Sequence, residues 1–376
     1  MSAWSALGWL VSLRSTGVCA TALACLAVVF ACGRARAQQK TPEPVTCANC
    51  HLGVVNAYAH APMRHALEPE NANPALMTHP SLSAQQNGYA YTVQTKDGKS
   101  TYTVAGASGS LTLPIRWILG QQSQTWVLEK DGRFYESMVS YFAKDQRLAT
   151  TPGDDAIAPH TLTEAMGREL SIWEVRNCFT CHATGFNPEE EPAPEKLTGG
   201  LDCERCHAGA AQHMADAQQV NFKSIPKSLK KMNAGETSDF CGQCHRTWDK
   251  VVREGWHGPA TVRFQPYRLA NSRCFDSSDK RIACIACHDP HQQVNRNEAY
   301  YDGKCRACHA GGATAVARSV SAARPAAQAT PTGKTCPVAK ENCVRCHMPK
   351  VELAGGHAVF TDHQIRVVRA GEAYPN

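Results

Sequence analysis

The chain is poor in the side chains that normally build an interior. Aromatic residues make up only 7% of its 376 residues, and mean hydropathy is -0.36. That length is enough for one large domain or two modest ones, so something other than aromatic side chains has to fill the interior. Lys and Arg form no clustered run, and the usual footprint of nucleic-acid binding is missing. Outside the N-terminus no apolar stretch approaches the roughly 20 residues that a membrane-spanning helix needs.

The one apolar run, Thr16 to Ala31, follows Arg14 and precedes Ala35-Arg36-Ala37. That small-x-small ending is the form of a signal-peptidase site. It predicts a signal peptide over 1–37, cleavage near Ala37, and a periplasmic or extracellular protein. An uncleaved anchor is the alternative, although the run is short for one. "VFAC", ending at Cys32, weakly resembles a lipoprotein box in which Phe30 is bulky. Cys19, Cys25 and Cys32 read as small hydrophobes within this segment. Losing residues 1–37 removes Arg14, Arg34 and Arg36 and no acid, so the formal charge falls from +6 to about +3.

What the chain does have is cysteine, 19 in all, far more than an ordinary cytosolic protein uses. Fourteen of the 16 beyond the signal segment lie in seven copies of Cys-x-x-Cys-His. In order these are Cys47, Cys50 and His51; Cys178, Cys181 and His182; Cys203, Cys206 and His207. Then come Cys241, Cys244 and His245; Cys284, Cys287 and His288; Cys305, Cys308 and His309; Cys343, Cys346 and His347. The pattern is the attachment signature of c-type haem. Two thiols add across the porphyrin vinyl groups, and the adjacent His ligates the iron from the proximal side. Zinc does not require a His after each second Cys, a redox dithiol needs only one such motif, and a disulfide closing so short a loop gains little. The sequence therefore predicts seven covalently attached haems c.

Low-spin electron-transfer haem carries a second axial ligand, His or Met. Of 16 His, nine remain beside the proximal seven: His60, His65, His79, His160, His213, His257, His291, His357 and His363. These are the candidate distal ligands, a surplus of two over seven irons. Met63, Met214 and Met348 lie nearest to motifs and are weaker candidates.

The motifs are unevenly spaced, with 131 residues from Cys47 to Cys178. Within that interval "YAYTVQT", "STYTVAG", "WVLEK" and "RFYESMVSYF" alternate apolar and polar residues around the turn signals Asp97-Gly98 and Asp131-Gly132. "LTLPIRWIL" reads as a further strand, with Pro114 at an edge or bulge. A small antiparallel sheet is expected over 88–145, packed over the first haem site or serving as a docking face. "HTLTEAMGRELSIWEVRN" looks helical and runs into the second motif. Residues 313–334, rich in Ala, Pro, Thr and Ser, read as an exposed linker. Cys274 and Cys336 remain outside the motifs; in an oxidising compartment they favour a disulfide, with two buried thiols as the alternative. The expected fold is mainly α with few regular elements, in a multihaem cytochrome c architecture. A signal peptide (1–37), a first haem site with an inserted β module (38–170) and a hexahaem core (171–376) make up its domains. Haem itself supplies much of the apolar interior.

Four stretches are similar to exported multihaem cytochromes of the cytochrome c-552/c-554-like group with doubled haem motifs, and more distantly to pentahaem nitrite reductases. They are "GLDCERCHAGAAQH", "VRFQPYRLANSRCF", "CHDPH" and "CVRCHMPKVELAGGHAVFTDHQIRV". With the β module the resemblance covers most of 45–370. It implies that a His shortly after one motif ligates a neighbouring iron, which fits His213, His291 and either His357 or His363. Ala208-Gly209-Ala210 departs from that group's Gly-Pro-Gly. The resemblance also implies closely packed haem pairs.

The expected function is electron transfer along mainly bis-His haems at potentials mostly below zero. The partners would be other redox proteins, such as a quinol dehydrogenase, other cytochromes or a terminal reductase. Nucleic acid is excluded, and any membrane association would run through a partner. The alternative is a multihaem oxidoreductase acting on small nitrogen or sulfur oxyanions at one open iron. All seven motifs carry His where the pentahaem enzymes use a Lys at the catalytic haem, and the spare His also weighs against an open site. With two ionised propionates, each ferric haem adds roughly −1 and each ferrous haem roughly −2. The holoprotein then lies near −4 oxidised and about −11 reduced.

Overall fold

Three dipeptides at hairpin tips organise the first half of the chain. Asn87-Gly88, Asp97-Gly98 and Asp131-Gly132 all adopt positive φ, at 52/80°, 52/72° and 51/75°. A two-residue turn that matches strand twist needs this conformation. The computed structural model describes residues 45–187, 189, 197–309, 336–353, 355 and 357–375. The export segment with its cleavage site and the linker at 313–334 lie outside these residues.

Ten antiparallel strands form one sheet. They are β1 (Leu67–Pro69), β2 (Ser81–Gln86), β3 (Tyr89–Lys96), β4 (Lys99–Gly106), β5 (Gly109–Leu119), β6 (Ser123–Lys130), β7 (Arg133–Ser137), β8 (Val139–Phe142), β9 (Arg147–Thr150) and β10 (Gly167–Glu169). The main path runs β10-β7-β6-β5-β4-β3-β2; β1 joins β5, and β8 pairs with both β6 and β9. Pro114 faces Thr101 of β4 inside the sheet, and the register shifts just beyond it, between Ile115 and Trp117.

The mainly α reading with a small module at 88–145 is therefore corrected: this sheet, spanning Leu67 to Glu169, dominates the first half. The physical reason lies in the strands that were missed. β1 and β10 have three residues each and β9 four, too few for a period to show, and β2 lies ahead of the expected start at 88. The helix expected across 160–177 is also interrupted. Leu162–Met166 and Ile172–His182 are helical, but Gly167 between them has φ 148° and starts β10. A Cβ on Gly167 would lie 2.0 Å from the Glu136 carbonyl oxygen, so only glycine allows this pairing with β7.

The two faces of the sheet bury different things. Tyr91, Val93, Tyr102, Val104, Ile115, Trp126 and Leu128 form one core. Trp117 and Val127, on the other face, pack with Val175 and Phe179 of the Ile172–His182 helix. That helix starts with a Ser171/Glu174 capping box and ends in the second Cys-x-x-Cys-His. The sheet thus braces the second motif, where packing over the first was expected.

Beyond it the chain is short helices, most of them ending or starting at a motif. The Ala234–His245 helix, capped by Asn233 and Glu236, is central and packs against Ile172–His182, Gln265–Ala270 and Cys284–Cys287. Arg268 and Asp362, both fully buried, pin the C-terminal segment to Gln265–Ala270. The Cys274–Cys336 disulfide is not formed; both are free, exposed thiols. The Cys336 sulfur accepts the Ala339 N–H at 3.5 Å, whereas Cys274 lies within electrostatic reach of Cys308. Each side chain is held in its own neighbourhood.

Candidate haem-binding site

Each motif sits on a turn of helix: Cys47–Tyr58, Ile172–His182, Cys203–Cys206, Ala234–His245, Cys284–Cys287, Asp302–His309 and Cys343–His347. Thiols of different motifs meet in pairs. Cys47 contacts Cys203, Cys181 contacts Cys244, Cys241 contacts Cys284 and Cys305 contacts Cys343. Cys206 is within electrostatic reach of Cys241, and Cys287 of Cys305. All seven motifs therefore form one connected set. Among the described residues, no three His, Cys, Asp or Glu side chains converge as a zinc site would need.

Two imidazoles on opposite sides of one iron need ring centres about 6 Å apart, since each contributes a metal–nitrogen distance of about 2 Å plus about 1 Å to its ring centre. Two pairs have this separation. His207 of the third motif faces His291 at 6.0 Å with the rings 6° from parallel. His288 of the fifth motif faces His363 at 6.2 Å and 42°. A third arrangement is a cavity of 590 Å³ lined by Cys244 and His245 of the fourth motif together with His257. Trp256 and Phe264 stack at 4.9 Å in its wall, with Arg246 over Trp256 and Arg263 over Phe264. Apolar walls suit a porphyrin face, and guanidinium groups suit its propionates.

The hydrogen bonds favour the same chemistry. His182 Nδ1 meets Ala66 O at 2.7 Å, His207 Nδ1 meets Lys227 O at 2.9 Å, and His347 Nδ1 meets Arg366 O at 2.9 Å. Among the candidate distal residues, His213 Nδ1 meets Ser224 O at 2.8 Å, His257 Nδ1 meets Gly255 O at 2.9 Å and His363 Nδ1 meets Thr361 O at 3.0 Å. His291 Nδ1 donates to Asp289 Oδ1 at 3.0 Å. A proton held on Nδ1 leaves the Nε2 lone pair for a metal, the usual outer support of a ligating histidine. Burial pushes His182 and His288 below the ordinary imidazole value and His363 down to about 4. Neutral imidazole is the ligating form.

The remaining candidates are placed differently. His65 has both nitrogens engaged, Nδ1 with Glu68 and Nε2 with Ala59 O, each at 2.7 Å. His79 packs against Tyr141 of the sheet core, with ring centres 5.6 Å apart. His357 lies on Phe142 at 4.2 Å, with Nδ1 3.2 Å from Asp145 Oδ2. His160 is exposed ahead of the Leu162–Met166 helix, and exposed His60 accepts the Gln293 amide through its carbonyl. The Met214 sulfur is 3.3 Å from the Cys47 thiol, beside a motif's attachment point.

Several contributors have no sequence signal of their own. Backbone carbonyls of Ala66, Ser224, Lys227 and Arg366 orient imidazoles, and any residue type offers one. Tyr58 meets His291 edge-on at 6.1 Å while donating its hydroxyl to Leu201 O at 2.7 Å. Asp289 had a readable cue, since Asp-Pro-His places a carboxylate two residues before a ligand candidate.

Residues 145–208, which hold the second and third motifs, match the family model for cytochrome c554 and c-prime. The crystal structure of the outer cell wall cytochrome OcwA is 15% identical, with a TM-score of 0.48 over 86% of this chain and 78% of that one. That likeness is too loose to bear on fold or function. No curated protein matches the chain in sequence.

Proposed function

We propose that this c-type cytochrome of electron transfer is an exported seven-haem conduit whose irons are mainly bis-His ligated. Haem c, when bound, supplies the one-electron iron couple. The chain's own residues hold it, orient it and exclude water from it. The observation that carries the reading is the pair of facing imidazoles, His207/His291 and His288/His363, at the separation one iron requires.

In this reading His291, which follows the fifth motif, ligates the iron of the third, and so ties two attachment sites together. His363 closes the iron of the fifth. His257 is the distal ligand of the fourth, supported by the cavity it shares with His245. The thiol contacts favour a path through motifs one, three, four, five, six and seven, with the second joining at the fourth. A sixth ligand on these three irons leaves them no room for substrate, which favours conduit over oxyanion enzyme.

Electron paramagnetic resonance of the oxidised holoprotein tests the reading. Low-spin ferric signals accounting for most of the irons are expected, with no rapid binding of cyanide or nitrite. A dominant high-spin signal would overturn the conduit.

A further inference from the structure

Between the Ala210–Gln218 and Ala234–His245 helices lies the segment "QVNFKSIPKSLKKM", residues 219–232. From Ala217 to Gly235 the chain has no Asp or Glu, yet it holds Lys223, Lys227, Lys230 and Lys231. All four are exposed. The lysine ion pairs among the described residues are those of Lys250 and Lys350, so none of these four is neutralised by a carboxylate, although the Lys227 ammonium lies over the Phe240 ring at 5.6 Å. Nearby Glu236 is held in the helix cap by the Asn233 N–H at 2.8 Å.

Among the lysines stand three apolar side chains that the fold does not bury. Val220 is 79% exposed, Phe222 58% and Ile225 84%. Val220 has φ 56°, a left-handed conformation that a β-branched residue rarely adopts. An apolar centre with a charged rim is the anatomy of a protein interface.

The backbone of the same segment touches the candidate ligands. Ser224 O accepts from His213 Nδ1, and Lys227 O accepts from His207 Nδ1, at 2.8 and 2.9 Å. The Lys227 N–H donates to Ala208 O at 2.9 Å, next to the third motif. A partner seated on this loop would sit one hydrogen bond from the third motif's imidazole.

We propose that residues 219–232 are the docking face for an acidic, one-electron redox protein, with electron exchange through the third motif. This rests on the conduit reading above. Complementary charge fixes the partner's chemistry: an acidic face is drawn to four lysines that no carboxylate neutralises, and steering of this kind raises association rates in low salt. In each encounter the partner's reduced centre loses one electron, and ferric iron at Cys203, Cys206 and His207 becomes ferrous. No bond is made or broken. Each electron gained adds a negative charge to the holoprotein, which favours release of an acidic donor after transfer.

The test uses the full holoprotein and a reduced acidic plant-type [2Fe–2S] ferredoxin as donor, with haem reduction followed by stopped-flow absorbance. For wild type the second-order rate should fall at least about tenfold between about 20 and about 300 mM NaCl. Combined Lys223→Glu, Lys230→Glu and Lys231→Glu substitutions should slow it by about tenfold or more at low salt and invert the salt dependence, since added salt then screens a repulsion. Phe222→Ser with Ile225→Ser should also slow it, with the salt dependence retained. Low-spin signals, haem content and reduction by dithionite should be unchanged in all variants, since only side chains are altered and the imidazoles hang on carbonyls. A charge-reversed variant reduced by ferredoxin at the wild-type rate would overturn the docking face while leaving the conduit standing. Haems that dithionite does not reduce would instead remove the conduit. Lysine-dependent binding to phosphatidylglycerol-phosphatidylcholine vesicles, without any effect on the ferredoxin rate, would assign the loop to a lipid surface and overturn the proposal.

Discussion

Arg268 grips Asp362 through two parallel hydrogen bonds, Nε to Oδ1 and Nη2 to Oδ2, each 2.9 Å long and both side chains fully buried. Arg268 Nη1 also donates to Pro375 O at 2.8 Å, and its guanidinium lies 4.5 Å from the Tyr374 ring centre. The next residue after Asp362 is His363. Burial alone would raise the Asp362 carboxyl, but Arg268, the Gln364 N–H and Arg366 hold it below its ordinary value. The pair is thus a latch that sets His363 against His288. Arg268→Met strips the buried carboxylate of its fork and leaves it Arg366 and the Gln364 N–H, so a cost of about 3 kcal/mol, the low end for breaking a buried pair, is expected. It should also turn one iron high-spin. Arg268→Lys keeps the charge and loses the fork, so a smaller loss of about 1–2 kcal/mol is expected. Because the folded carboxyl is depressed, the latch's contribution is present at neutral pH and fades as pH drops below about 4. Urea unfolding across this range, paired with resonance spectra, checks both effects.

His291 and His65 make a contrasting pair of substitutions. His291→Ala should leave seven haems attached, by intact mass, and convert one iron to high spin, because Cys284, Cys287 and His288 are untouched. His65→Ala should leave the haem spectrum as it was, since both His65 nitrogens are already bonded to Glu68 and Ala59. Losing the His65 bridge instead costs stability, about 1 kcal/mol. An unchanged spectrum for His291→Ala would end its assignment as an iron ligand.

Attachment chemistry is local, and for that reason it was readable: Cys-x-x-Cys-His needs one turn of chain. Pairings such as His207 with His291 join residues 84 apart, and nothing in the intervening sequence encodes the approach. The sheet was half readable for a similar reason. β3 and β4 alternate and meet at Asp97-Gly98, whereas β1 and β10 are three residues long and too short to show a period. Gly167 shows the third kind of limit, a contact between distant backbones. Gly167→Ala should cost about 3 kcal/mol or more, through the clash with Glu136 O and a φ that L-residues avoid. The urea midpoint measures it. A neutral result would show that β10 need not pair with β7.

Asp154 carries a prediction of the opposite sign. Its side chain is buried in the turn that follows β9, and Oδ2 has no hydrogen-bond partner. Burial, with Glu136 and Asp155 nearby, pushes its carboxyl up to about 6 although Arg168 pulls the other way. An acid whose folded value is raised binds more protons folded than unfolded between about pH 4 and about pH 6. Stability therefore falls as pH climbs through that window, and at pH 8 the folded chain carries a strained carboxylate. Asp154→Asn removes the charge, keeps the shape and does not titrate. It should stabilise the protein at pH 8 by about 1 kcal/mol, a value discounted for partial solvent screening. The gain should vanish near pH 4, where the wild-type carboxyl is already neutral. Urea midpoints at the two pH values decide it: an equal shift at both would mean that the amide acts through a new hydrogen bond, with ionisation playing no part.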